Sequence, residues 1–242
     1  MGVARPTKAY TWAPTWQSGR VLGWLLIAVA GISVVEVLSE LGRAFSATTI
    51  TTPLTATGGW TFAPPVTFVS GPLVIACEIL WLIWQHRVTA DLWARGVPGL
   101  GFTPGWAVGW WFVPFAWWVQ PFRAVRELSR HAGRIEANGV PAVSDGILAG
   151  WWTTYLGSQL VAVPVVVIVI HVLAPAFSHL GEISVPTITI PASDLRAIAA
   201  WACGGGLLRI ASALLAARVV WSISKAEDGA LAAAPVPARP DQ

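Results

Sequence analysis

The chain has 242 residues, 55% of them hydrophobic and only 11% charged, where a soluble domain carries about 25% charged residues. That deficit and a positive mean hydropathy argue against an ordinary soluble domain and predict a multi-pass membrane protein with room for one membrane domain. The net charge of +3 is small, so the distribution of basic residues matters more than their sum.

Residues 1–20 are polar, with Arg5, Lys8 and Arg20, and read as a cytoplasmic N-terminal segment. The first span is predicted at about 21–41, close to the ~20 residues a bilayer core requires. It is longer than the ~7–15-residue apolar region of a signal peptide, so it reads as an uncleaved helix. Residues 43–64, rich in Thr, Gly and Pro, form a loop outside the membrane. The second span is predicted at 65–85 and ends at His86 and Arg87. A turn-rich segment leads into Thr103–Val119, which is dense in Trp and interrupted by Pro114. From Pro121 the chain becomes basic. Pro suits a first helical turn. Phe122, Val125, Leu128, Ala132 and Ile135 then recur at the spacing of one helix face. The third apolar run covers 147–173. Ile183–Ile190 alternates like a short external ribbon, and the last span is predicted at 195–221. Residues 222–242 read as a disordered cytoplasmic tail.

Charge selects the topology. With the N-terminus inside, Arg5, Lys8 and Arg20 are cytoplasmic. So are Arg87, Arg95, Arg123, Arg126, Arg130 and Arg134, together with Arg218, Lys225 and Arg239; only Arg43 and Arg196 lie at outer ends. A full crossing by 103–119 would place four arginines outside, against the positive-inside rule. The expected fold is therefore an all-α polytopic bundle occupying 21–221. It has four spanning helices and an interfacial element at 103–138, made of a re-entrant or interfacial Trp-rich segment and an amphipathic cytoplasmic helix. Both termini are cytoplasmic. Five spans, with the C-terminus outside, are the alternative. The expected lipid or partner surface is Trp106, Trp110, Trp111, Trp117 and Trp118 with Arg123, Arg126, Arg130 and Arg134. Trp favours headgroup depth, and a basic amphipathic helix can lie on anionic lipid.

The text around this element carries a resemblance. Leu80-Trp81-Leu82-Ile83-Trp84-Gln85-His86-Arg87 precedes Thr103-Pro104-Gly105-Trp106-Ala107-Val108. Trp110-Trp111-Phe112-Val113-Pro114 and Pro121-Phe122-Arg123-Ala124-Val125-Arg126-Glu127-Leu128 follow. These motifs resemble a mainly actinobacterial family of integral membrane proteins known only as a domain of unknown function. The close match covers about residues 78–130, with looser agreement elsewhere. One departure is Ala116-Trp117-Trp118, where family members tend to show Asn at the second position. The resemblance implies a bacterial membrane protein and supplies no activity, ligand or catalytic residue.

Candidate chemistry is sparse. Glu78 and Arg209 lie near the middles of their spans, and ionisable residues there call for a partner; the expectation is that they pair. Glu36 and Glu40 read as facing a polar loop. His171, His179 and Glu182 cluster near the outer end of the third run, but their spacing matches no established zinc site. Cys77 and Cys203 lie in apolar runs and read as small core residues. G-x-S-x-G, H-E-x-x-H and phosphate-loop patterns are absent, and Gly204-Gly205-Gly206 lacks the Lys-Ser/Thr of a phosphate loop. The expected function is that of a non-enzymatic protein of the bacterial cytoplasmic membrane without cofactor or metal, an accessory or scaffold subunit contacting lipid. Its partner is another membrane protein or a further copy of itself, and nucleic acid is not expected. The alternative is a small oligomeric transporter or channel with Glu78 and Arg209 near the path.

Overall fold

The computed structural model describes residues 15–46, 50–53, 67–136, 140–161 and 187–232. Among them are six α-helices: α1 (Thr15–Ser46), α2 (Thr67–Ala94), α3 (Pro104–Gly109), α4 (Gln120–Glu136), α5 (Asp145–Leu160) and α6 (Ala192–Ala232). Two 3-10 turns, Trp110–Phe112 and Ala116–Trp118, separate α3 from α4. Three stretches are long and apolar enough to cross a membrane: Gly19–Ser46, Ser70–Ala94 and Ala192–Gly229. They correspond to the first, second and last predicted spans. Of the third predicted run, α5 accounts for the start, and 162–173 lie outside the described residues.

Contacts divide the chain into two compact units. The first comprises Met1–Trp24, Cys77–Ala149 and Ala216–Gln242. Its core joins Leu22 of α1, Trp84, Val88 and Leu92 of α2, Val125 and Leu128 of α4, Leu148 of α5, and Val219, Val220 and Ile223 of α6, all essentially inaccessible. The Trp84 indole donates to Ser224 Oγ at 3.0 Å, and Trp24 meets Trp221 edge-on with centroids 5.7 Å apart. Gly96 ends α2 with φ 66°. Its N–H bonds to the Trp93 carbonyl, and the Val97 N–H reaches back to that of Leu92. This is the Schellman arrangement, which a left-handed glycine permits without steric cost.

The second unit comprises Leu25–Ala76 and Gly150–Leu215. Here α1 and α6 pack through Val37 and Gly206, where a Cβ would collide with the Val37 side chain. The Cys203 thiol lies 3.7 Å from the Val37 carbonyl. A two-stranded antiparallel ribbon pairs β1 (Ile50–Pro53) with β2 (Thr187–Ile190), Ile50 opposite Ile190 and Pro53 opposite Thr187. The alternation around Ile190 thus finds a partner in Ile50-Thr51-Thr52, inside the segment read from sequence as loop. Three consecutive β-branched residues favour extended backbone there.

Two boundaries differ from expectation. α1 begins at Thr15 and α6 continues to Ala232, so residues 222–232 of the predicted disordered tail are helical. Glu227 explains the extension: its carboxylate is 1% exposed and paired with Arg95 of the first unit, which ties the end of α6 down. Residues 1–14 and 233–242 lie outside the described residues.

Candidate functional site

The Trp-rich segment sits in the first unit, and its geometry follows from its prolines and one buried amide. Thr103 caps α3, its hydroxyl accepting from the Trp106 N–H at 3.4 Å, and Pro104 occupies the first turn. A helix of six residues rises ~9 Å, well short of the ~30 Å of a hydrocarbon core. After Phe112 the backbone turns at Val113-Pro114, and Phe115 takes φ 64°, a region that costs a non-glycine residue about 1–3 kcal/mol. The second 3-10 turn then hands the chain to α4, with the Arg123 N–H bonded to the Val119 carbonyl at 3.2 Å.

Gln85 anchors the segment to α2. Its side chain is fully buried. Gln85 Oε1 accepts from the indoles of Trp81 at 3.2 Å and Trp111 at 3.0 Å, while Nε2 donates to the Ala107 carbonyl at 2.9 Å. These three hydrogen bonds connect α2, α3 and the first 3-10 turn. From the other side, Glu127 of α4 accepts from the N–H groups of Gly101 and Phe102 at 2.9 and 3.2 Å. The Trp93 indole donates to the Phe102 carbonyl at 2.8 Å.

The five predicted tryptophans do not share one environment. Trp111 turns inward to Gln85, and Trp110 and Trp117 are half-buried against Trp106 and Trp118 respectively. Trp106 and Trp118 stay exposed at 54% and 39%. Within this segment the most exposed rings are two that the sequence reading did not select, Phe112 at 71% and Phe115 at 87%. Their signal was present in the text: Phe112, Phe115 and Trp118 recur every third residue around Pro114.

The arginines divide as well. Arg126 grips Asp145 with two hydrogen bonds, Nε to Oδ1 at 2.9 Å and Nη2 to Oδ2 at 2.6 Å, and Arg130 adds a third at 3.4 Å. The Arg126 hydrogen bond holds the Asp145 carboxyl below its ordinary range. Asp145 also opens α5, where the helix dipole favours an anion. Arg123 is exposed, with no ion pair among the described residues. Arg134 lies on α4, and its side chain is outside the described residues. The predicted apolar face of α4 forms through Val125, Leu128 and Ala132, all buried. Ser129 on the same helix clasps Val143 by bonding both its N–H and its carbonyl, at 2.9 and 3.0 Å.

The expected pairing of Glu78 with Arg209 gives way to a different one. Arg209 Nη1 donates to Glu36 Oε2 of α1 at 2.9 Å, both residues belonging to the second unit, while Glu78 belongs to the first. Gly206 brings α6 against Val37 and so sets the register that places Arg209, three residues on, beside Glu36. Glu36, read from sequence as facing a polar loop, is therefore the carboxylate that meets Arg209. Exchanging the two charges (Glu36→Arg with Arg209→Glu) is expected to restore much of the folded protein lost in either single variant. Yield of folded protein from isolated membranes measures this, and equal loss in the double variant would count against the pair. Among the described residues there is no His/Cys/Asp/Glu cluster able to hold a metal; His171, His179 and Glu182 lie outside them.

No curated protein and no solved structure matches the chain. A family model described as a domain of unknown function, DUF4328, matches residues 47–225. That range takes in α2 to α5, the Gln85-anchored Trp-rich segment, the ribbon and most of α6. By this match the chain belongs to the DUF4328 family of domains of unknown function.

Proposed function

We propose that the protein is a non-enzymatic, multi-pass protein of the bacterial cytoplasmic membrane, an accessory or scaffold subunit. Its Trp-rich segment would lie at the cytoplasmic lipid surface as a platform for lipid and for a membrane-protein partner. The observation that carries this reading is Phe115, an 87% exposed phenyl on a left-handed backbone. A strained residue that buries nothing in its own chain gains nothing there, whereas headgroup-level lipid would take up the ring together with Phe112, Trp106 and Trp118.

Charge supports the orientation. Of the described basic residues, the first unit holds Arg20, Arg87, Arg95, Arg123, Arg126, Arg130, Arg134, Arg218 and Lys225. The second holds Arg43, Arg196 and Arg209. Cytoplasmic ends carry the excess of Lys and Arg, so the first unit would face the cytoplasm in this reading, with four spans and both termini inside. Because Asp145 engages Arg126 and Arg130, Arg123 is, among the α4 arginines whose side chains are described, the one best placed to meet a lipid phosphate.

The test is depth. A nitroxide attached at Phe115→Cys, in a Cys77→Ala, Cys203→Ala background reconstituted in nanodiscs, is expected at the headgroup level. A label at the bilayer midplane, or one in bulk water, would overturn the interfacial placement. The alternative reading, an oligomeric transporter or channel with Glu78 and Arg209 near the path, rests on an exposed Glu78 and a half-exposed Arg209 on apolar helices.

A further inference from the structure

We propose that the chain associates head to tail with copies of itself, Glu78 of one subunit pairing with Arg218 of the next. This rests on α2 and α6 and is independent of the Trp-rich platform.

Both residues belong to the first unit and both are exposed. Neither has an ion-pair partner among the described residues. Their surroundings are apolar: Ile79 and Ile83 share exposure with Glu78 on α2, and Leu214 precedes Arg218 on α6. Glu78 lies eight residues before His86, and Arg218 seven before Lys225. At ~1.5 Å per residue each is ~10–12 Å inside the polar end of its helix. A long arginine can lift its charge toward the headgroups, whereas the short glutamate cannot. Ionised carboxylates facing lipid are rare and are almost always partnered.

The two charges share a depth. The Trp84–Ser224 hydrogen bond pins α2 to α6, and Arg95, just past the end of α2, pairs with Glu227 further along α6, so the two helices run in the same sense. Glu78 precedes Trp84 by six residues, and Arg218 precedes Ser224 by six. Each therefore stands ~9 Å from that bond in the same direction.

Rotation separates them within one chain. Six residues at about 100° each leave a side chain about 120° away from the contact direction. Two parallel helices that face each other and are rotated in the same sense send these side chains to opposite flanks of the pair. Each subunit thus presents a carboxylate on one flank and a guanidinium at matched depth on the other, each set beside apolar side chains. Flanks of opposite charge join as a heterologous contact, which closes into a ring when the rotation between subunits permits. A second copy is the occupant because it carries the complementary charge at the matching depth.

The test uses the full chain in a Cys77→Ala, Cys203→Ala background. Two differently tagged copies, one bearing Glu78→Cys and the other Arg218→Cys, are co-expressed and oxidised in membranes. A disulfide-linked heterodimer at least tenfold more abundant than the Glu78→Cys self-dimer is expected. No heterodimer, with both thiols still alkylated by a permeant maleimide, would overturn the proposal, as would self-dimers of equal yield. Native mass spectrometry from nanodiscs supplies the second readout. Glu78→Arg and Arg218→Glu singly are expected to reduce the oligomer at least tenfold, and together to restore it. Monomer in the unsubstituted protein, or no restoration in a double variant whose thermal midpoint matches it, would overturn it. The spin-label depth at Phe115 is read separately, so failure of either idea leaves the other standing.

Discussion

Replacing Gln85 with leucine is expected to destabilise the protein by roughly 3–9 kcal/mol, because three polar groups, two buried and one part-buried, each lose a hydrogen bond at about 1–3 kcal/mol. The groups are the Trp81 and Trp111 indole N–H donors and the Ala107 carbonyl. Leucine occupies a similar volume, so lost hydrogen bonding rather than a cavity sets the cost. Glu at this position keeps an acceptor for the two indoles but loses the donor to Ala107, and should fall between the two. Denaturant unfolding in nanodiscs gives the magnitude. Hydrogen exchange gives the location: amides of residues 103–119 should lose protection before those of α1 and α6. A loss below about 1 kcal/mol, or exchange spread evenly over the chain, would show that Gln85 does not hold the Trp-rich segment in place.

Glu227→Ala is expected to cost about 3–5 kcal/mol, the range for breaking a buried ion pair by removing one partner. Glu227 is 1% exposed and its Arg95 partner 16%. Arg95 is held there with burial pressing its pKa down, yet it stays charged, since guanidinium groups do not release their proton in proteins. Glu227 Oε1 and Arg95 Nη1 find no hydrogen-bond partner among the described residues, so the pair is incompletely satisfied. For that reason the double variant Arg95→Met, Glu227→Leu should regain most of the lost stability and could exceed the original by about 1–4 kcal/mol. Thermal midpoints of the single and double variants decide the matter. A double variant as unstable as Glu227→Ala would mean that charge pairing is not what fastens the end of α6.

Much of the helical layout was legible because apolar length and helical spacing are local properties. The spans beginning near 21, 65 and 195 all correspond to helices. In α4, Val125, Leu128 and Ala132 face the core as their spacing requires. Helix ends were less legible, since they depend on partners far along the chain: α6 runs past Trp221 because Glu227 meets Arg95, 132 residues away. The surface tryptophans were half legible. Composition marks the segment as unusually rich in Trp, but whether a given ring faces inward depends on Gln85, 26 residues from Trp111.

The sequence by itself determined a helical membrane protein, the position of its main spans, and the basic, Trp-rich element between the second and third apolar runs. Each of these follows from hydropathy, period or charge within a window of about 20 residues. Only the tertiary structure decided which charges meet. Arg209 takes Glu36 rather than Glu78, Arg126 and Arg130 meet Asp145, and Glu227 takes Arg95. An ion pair needs N and O atoms within about 4 Å, a condition set by the register of packed helices. That register was set by close-packed contacts, such as Gly206 against Val37, which leave no periodic trace in the sequence.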